Sequence, residues 1–361
     1  MVPIASAAQE LVQDTQEIVK AKVFEVISEK SEPVAGTSVT HTIQKLRVEI
    51  LEGIQRGEMV TFENDFIVLR AGDTFFLNHT TNTETGAEYY SVSEPYRLPT
   101  LFFFIGLFVL AVFLFGGKQG IRGLCALILS FLFIGYFLLP GISHGYSPAL
   151  VSIGVSSLII ILGSYITHGY NWVTTSAVIG MVLTIVLTGL LAYGAIHFAR
   201  LTGFANEEAV YLNFDTAGKI DFSGLLLGGI LIGLLGVLYD AAIGQAVSVD
   251  ELTRVASHLP KKTIYLRAMR IGREHIGALV NTLAIAYVGT ALPLLLLSMS
   301  SSGGLLLTMN REIFATEIIR MMIGSIGLIL AVPLTTIVSV RMLWGRGGMS
   351  SASDEHRGHR H

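Results

Sequence analysis

In "LYDAAIGQAVSVDEL" (238–252) a carboxylate, Asp240, stands in a run otherwise written in Leu, Gly, Ala, Val and Ile. A charge at the centre of a membrane helix costs ~3 kcal/mol on insertion scales, so it is kept for function or for a bridge to a partner. Helical spacing says which way it points. Four, seven and eleven residues before Asp240 stand Gly236, Gly233 and Gly229; four after it stands Gly244. All five share one helix face. Gly229 and Gly233 form a GxxxG, and a stripe of this kind lets a second helix approach closely. The expectation is a carboxylate turned to the interior of a helix bundle, with Gly229, Gly233, Gly236 and Gly244 as packing positions. Gln245 and Ser248 follow it.

A second polar set lies in "GREHIGALVNTLAIAYVGTALP" (272–293). Glu274 and Asn281 are seven apart and share a face; His275 and Thr282 repeat the relation one position round, and Tyr287 lies deeper. Docking this segment on the glycine stripe would bring Asp240 to Arg273, Asn281 or Thr282. The candidates for a substrate or ion path are therefore Asp240, Gln245, Arg273, Glu274, His275, Asn281, Thr282 and Tyr287. The plainer alternative makes Asp240 a bridge to Arg273, and Asn281 and Thr282 interhelical glue. Glu317 and Arg320, three apart, read as a local ion pair.

Other chemistries lack their residues. An intramembrane aspartyl protease needs two carboxylates sharing a proton, and no second deep one appears. No HExxH, GxSxG or Walker A sequence occurs. The reading is not an enzyme, with no cofactor and no metal site. The single cysteine, Cys125, forms no disulfide or cysteine metal site within the chain. "HRGHRH" (356–361) reads as part of a disordered tail, 346–361.

The elements that must hold these residues follow from charge and hydropathy. Of 361 residues, 52% are hydrophobic and 14% charged, against about 25% charged in soluble domains. Residues 1–97 carry 8 Lys/Arg and 15 Asp/Glu; residues 98–361 carry 16 and 12. Between Leu98 and Ala199 only Lys118 and Arg122 are charged. An acidic domain, 1–97, thus precedes a membrane domain, 98–345.

In the first, 21–28, 41–51, 58–65, 73–80 and 88–96 alternate as strands, which predicts a small OB-like all-β domain. Its net negative charge repels phosphate and excludes nucleic acid as a partner. In the second, seven apolar spans are expected, near 98–116, 121–139, 148–167, 173–197, 222–245, 276–299 and 317–343. With residues 1–97 outside, twelve Lys/Arg fall in inside loops against four outside, a positive-inside bias that predicts an extracytoplasmic N-terminal domain and a cytoplasmic C-terminus. Within the inside segment 248–275, "SVDE" (248–251) spells a capping box that would open a new helix. "KKTIYLRAMRIGR" (261–273) then reads as a basic amphipathic helix on the lipid surface. "ASA" (5–7) resembles a signal cleavage site. It fits either a flexible start or the tail of an upstream signal or anchor helix.

"LGVLYDAAIGQAVSVDEL" (235–252) and "GREHIGALVNTLAIAYVGTALPLLLL" (272–297) resemble the signature segments of the YibE/F-like family of bacterial membrane proteins. "RLPTLFFFIGLFVLAVFLFGGKQGIRGL" (97–124) is similar to the family's entry into its first core span, and "AVPLTT" (331–336) to its closing segment. The family's most specific residues match at Asp240, Gln245, Arg273, Glu274, His275, Asn281, Thr282 and Leu283. The resemblance implies a multipass protein of the bacterial cell membrane with an extra hydrophobic segment at its start, and implies no substrate. The whole pattern is that of a polytopic α-helical membrane protein of about seven spans with an extracytoplasmic OB-like domain. The function expected is a transporter or permease component of unknown substrate, ion- or proton-coupled through Asp240. The alternative is a non-transporting assembly or signalling protein that binds a partner through its β-domain. The partners expected are the lipid bilayer and either further copies of the chain or a second membrane subunit.

Overall fold

The computed structural model describes residues 15–33, 36, 40–83, 85–299 and 304–345. The "ASA" at 5–7 and the tail at 346–361 lie outside the described residues. Two compact units divide at Leu110/Ala111.

The five expected strands form. β1 (Thr15–Pro33), β2 (Thr40–Ile50), β3 (Met59–Asn64), β4 (Thr74–Thr81) and β5 (Glu88–Pro95) make one antiparallel sheet of order β3-β2-β1-β4-β5. Alternation fixes its inner face. Val19, Ala21 and Val23 from β1, Leu46, Val48 and Ile50 from β2, and Phe75 and Leu77 from β4 are all buried. Burying a side chain such as Phe75 stabilises by about 1.5–3 kcal/mol. The edge strands β3 and β5 approach each other, so the sheet curls into a half-barrel. Gly53 takes φ +87°, and a Cβ there would lie 2.8 Å from Val19 Cγ1; only glycine fits that turn against β1.

Polar side chains finish the half-barrel. Gln44 points inward from β2. Its amide donates to the Leu69 carbonyl at 3.0 Å and to Glu29 at 2.9 Å, and its Oε1 accepts from Leu69 N–H at 2.8 Å. That anchors the loop before β4. The Tyr90 hydroxyl donates to Glu88 at 2.7 Å and its ring stacks on His79. Burial, then the hydrogen bond to the Glu88 carboxylate, pushes the Tyr90 hydroxyl up to about 12.

The second unit is helical. Its elements are α1 (Leu98–Phe133, beginning in the first unit), a π-helical turn (Ile134–Leu138), α2 (Leu139–Ser143), α3 (Pro148–His168), α4 (Trp172–Phe198), α5 (Glu207–Asp215), α6 (Phe222–Val255), α7 (Lys261–Thr290), α8 (Leu292–Met299), α9 (Gly304–Asn310) and α10 (Glu312–Leu343). Side chains that resist continuing a helix start several of them. Asn171 accepts from Thr174 N–H, Asn206 from Ala209 N–H and Asp221 from Gly224 N–H.

By length and composition, five helical stretches can cross a membrane, or six if α7 and α8, bent by 65° to each other, count as one. The first of the five, Leu98–Ser143, would measure about 69 Å if straight. It is not straight. Gly117 has φ 52°, ψ −140°, and a Cβ on Gly120 would lie 2.6 Å from the Val112 carbonyl oxygen. Eight residues of straight helix would hold those positions about 12 Å apart, so Gly117 turns the chain back on itself.

α6 is central, packed against α3, α4, α7 and α10. The core gathers Ile160 from α3, Met181 and Ile185 from α4, Leu234, Leu238 and Ala242 from α6, and Leu328 and Ala331 from α10. Glycines allow the closest crossings. A Cβ on Gly180 would run into Thr335, one on Gly272 into Val332, and one on Gly327 would lie 2.6 Å from Thr188 Oγ1.

Two expectations for 248–275 are corrected. Ser248 caps nothing; its hydroxyl donates to the Gly244 carbonyl at 2.9 Å, one turn back, and α6 runs on unbroken to Val255. "KKTIYLRAMRIGR" is not a separate surface helix but the first half of α7. No proline interrupts Lys261–Thr290, and Ile264, Ala268 and Gly272 are buried.

Candidate functional site

The bundle has two distinct ends. At one, Gln119 donates to the Thr167 carbonyl, His168 packs on Tyr239, and the Trp344 indole donates to the Leu259 carbonyl. Lys118, Arg122, Arg254, Lys261, Lys262 and Arg341 neighbour these contacts in sequence, and Lys261 lies over the Trp344 ring. At the other, one Glu312 oxygen accepts from Thr202 N–H (2.7 Å), Thr202 Oγ1 (2.7 Å) and Gly203 N–H (2.9 Å), tying the α4–α5 connection to the start of α10. Arg200, Lys219 and Arg311 lie in the connections at this Glu312 end.

Asp240 belongs to the basic end, since its neighbour Tyr239 meets His168 at the end of α3. The glycine stripe is present, but it is the open face of α6. Gly229, Gly233, Gly236 and Asp240 are exposed and Gly244 is half-buried. Nothing lies within 4 Å of a Cβ built on Gly229, Gly236 or Gly244. The helix buries instead the face of Leu234, Leu238, Ala242, Gln245 and Val249. Within the described residues, no other helix of this chain covers Asp240, contrary to the expectation of an inward-facing carboxylate. The helix is apolar all round, so sequence marks the stripe and not which face packs.

The partners expected from α7 do not reach Asp240. Among the described residues no ion pair or hydrogen bond joins its carboxylate to Arg273, Asn281 or Thr282. Arg273, Glu274, His275, Asn281 and Thr282 are exposed, and Thr282 satisfies its hydroxyl on the Ala278 carbonyl at 3.0 Å. Gln245 is 1% exposed. Its amide donates to the Ala268 carbonyl at 3.0 Å and to Thr336 Oγ1 at 2.7 Å, clamping α6, α7 and α10 together.

Tyr287 is the α7 candidate that reaches the stripe: its hydroxyl would stand 3.1 Å from a Cβ on Gly233. It also lies within electrostatic reach of Arg320 and Glu317. Those two form a half-buried ion pair at 3.0 Å in the wall of a cleft of about 490 Å³ at the Glu312 end. The cleft is bounded by α5, α6, α7, α8 and α10, and Gly229 lines it. Thr316, 3% exposed, also lines it, and neither its hydroxyl nor the Arg320 Nε has a hydrogen-bond partner among the described residues. The local ion pair expected of Glu317 and Arg320 is present, but Thr316 was not singled out with it. The available signal was three polar residues, Thr316, Glu317 and Arg320, within the first turns of an apolar helix.

The glycine stripe therefore starts in the cleft at Gly229, passes Tyr287 at Gly233, and reaches Asp240 about 16 Å further along α6. No group of three or more His, Cys, Asp or Glu that could hold a metal occurs among the described residues.

The apolar helices suggest a membrane protein. Neither the curated proteins nor the solved structures compared with the chain include a match. The family described as YibE/F-like protein matches residues 104–345, about two thirds of the chain. Its match spans the helical region from early α1 to just beyond α10, and takes in Asp240, the α7 polar set and the Thr316–Glu317–Arg320 cluster; this chain belongs to the YibE/F-like family.

Proposed function

We propose that the protein is a transporter or permease component of a bacterial cell membrane, and that its path follows the open face of α6. The observation that carries this reading is the continuity of that face from the cleft at Gly229, past Tyr287, to Asp240. An ionisable group on a small-residue face, joined to a polar cleft at the opposite end, is the arrangement an ion or substrate path needs. The turn at Gly117 divides α1 into two crossings. With α7 and α8 taken as one, the chain makes seven. That odd number supports an extracytoplasmic N-terminal domain and a cytoplasmic C-terminus, and the basic residues at the Gly117 end support the same reading. The open stripe is then covered by lipid, by another copy or by a second subunit. Asp240 carries the coupling ion. The test is flux of protons and simple cations into liposomes holding the purified protein, compared with Asp240→Asn.

A second reading has one observation in its favour. Ile54 is 96% exposed, and Phe24, Phe66 and Tyr89 are exposed on the same unit, apolar side chains that a docked partner would cover. In that reading the half-barrel docks a partner and the bundle only anchors it. Liposomes that stay silent across a broad ion panel would favour it.

A further inference from the structure

The first turns of α7 present a face that the bundle does not use. The segment "KKTIYLRAMRIGR" (261–273) carries Lys262, Arg267, Arg270 and Arg273. At about 100° per residue these four fall within an arc of roughly 140°. That arc lies opposite the buried Ile264, Ala268 and Gly272. All four basic residues are exposed. Among the described residues no ion pair joins any of them to a carboxylate, and Glu274, exposed a turn beyond Arg270, is in none either. The neighbouring cations are engaged: Lys261 lies over the Trp344 ring, and Arg254 pairs with Asp250 at 2.9 Å. Apolar side chains interleave with the unpaired ones, Leu266 at 54% exposed and Ile271 at 39%.

Depth decides what such a face can meet. Asp221 caps the start of α6 at the Glu312 end, and the helix from Phe222 to Gln245 is about 35 Å long. That length covers a hydrocarbon core of ~30 Å. The Gln245 amide donates to the Ala268 carbonyl at 3.0 Å, so Ala268 stands near the far boundary of the core. Arg267 and Arg270 are then within a turn of that boundary. Arg273 is about 8 Å inside it, near enough for its long side chain to reach back to the headgroups. A soluble anion would satisfy these cations and leave Leu266 and Ile271 uncovered. A zwitterionic lipid brings an ammonium of its own to the same place. A lipid of net negative charge supplies a phosphate, which guanidinium groups bind by paired hydrogen bonds, and apolar chains beside it. We infer that this face of α7 binds anionic phospholipid, its phosphate held by Arg267, Arg270 and Arg273 and its glycerol and upper chains against Leu266 and Ile271. The inference rests on the membrane-spanning reading of the bundle and not on ion movement past Asp240.

The test uses the purified full-length protein in phosphatidylcholine vesicles with a trace of spin-labelled phosphatidylglycerol or spin-labelled phosphatidylcholine. The fraction of each label immobilised at the protein gives their relative affinities. A preference for phosphatidylglycerol of at least about fivefold is expected, since a basic residue at a membrane surface contributes roughly that factor. It should fall to near parity when Arg267→Gln, Arg270→Gln and Arg273→Gln are combined. Should the triple variant fail to fold, Arg270→Gln alone, at the centre of the arc, should lower the preference by up to roughly fivefold. Lys118→Gln combined with Arg122→Gln, which removes charge elsewhere at the same end, should leave it in place. Excess inorganic phosphate should not displace the labelled phosphatidylglycerol. Parity of the two lipids at the wild type would overturn the inference and leave the face to an acidic protein partner. An undiminished preference in the arginine variants would overturn it too. So would an equal loss in the Lys118 and Arg122 variant, the mark of diffuse attraction, or displacement by inorganic phosphate, the mark of a soluble anion. Ion flux can be absent while this preference persists, so the two conclusions fall separately.

Discussion

The Gln245 amide donates to Thr336 Oγ1 at 2.7 Å while also reaching the Ala268 carbonyl at 3.0 Å. One side chain thus joins α6, α10 and α7 just below Asp240, at a level where Gly272 lets α7 come against Val332. Where apolar surface faces lipid, such hydrogen bonds and close contacts hold helices together.

Gln245→Leu should therefore lower stability by ~1–3 kcal/mol, read as a lower unfolding midpoint in detergent. Gln245→Glu should behave differently with pH. A carboxylate there faces two acceptors, so the variant should be more stable at pH 5, where protonation restores a donor, than at pH 8. Equal stability at both would contradict the clamp.

Glycines of the two kinds should part company. Gly272→Ala inserts a methyl group against Val332 and 2.8 Å from Gln245 Oε1, and should cost ~1–3 kcal/mol. Gly236→Ala meets nothing within 4 Å and should be neutral or stabilise by up to ~1 kcal/mol through helix propensity. Thermal unfolding of the two variants in parallel is the check, and a loss at Gly236 as large as at Gly272 would mean that another chain covers the stripe.

The half-barrel was legible because a strand buried on one face alternates. Val19-Ala21-Val23 and Leu46-Val48-Ile50 announce their inner faces in the sequence. The bundle was less legible for a physical reason. α6 has no polar side to mark its outside, so the stripe of Asp240 could be found but not assigned to core or surface. Nothing local distinguishes "SVDE" as a cap from the same residues inside a helix. The difference is that α6 stays packed through Val249 and Thr253. At the Glu312 end Thr316, Glu317 and Arg320 stand together in the sequence, but the cleft they line is assembled from α5, α6, α7, α8 and α10, and no single segment displays the cleft.

Glu312 should govern order at that end. Its oxygen holds Thr202 and Gly203 by three hydrogen bonds. In Glu312→Ala the amides of Thr202 and Gly203 should lose protection in hydrogen exchange by ~10-fold or more, with the rest of α10 unchanged.

Tyr90 gives the half-barrel a dependence on alkaline pH. Burial and the hydrogen bond to Glu88 push its hydroxyl up to about 12, against about 10 in an unfolded chain. The neutral phenol is the form the fold favours, so its contribution is complete below pH ~10 and is lost as pH rises toward 12. A tyrosinate absorbance titration of the full chain should show one transition near 12 that is missing in Tyr90→Phe; its appearance near 10 would contradict the hydrogen-bonded, half-buried setting.

The central claim is that Asp240 carries a coupling ion along the open face of α6. Flux of protons and simple cations into liposomes, measured for the wild type, Asp240→Asn and Asp240→Ala at matched amounts of folded protein, tests it most directly. The account predicts flux in the wild type and its loss in both variants, with insertion and unfolding midpoint unchanged. Undiminished flux in Asp240→Ala would contradict it.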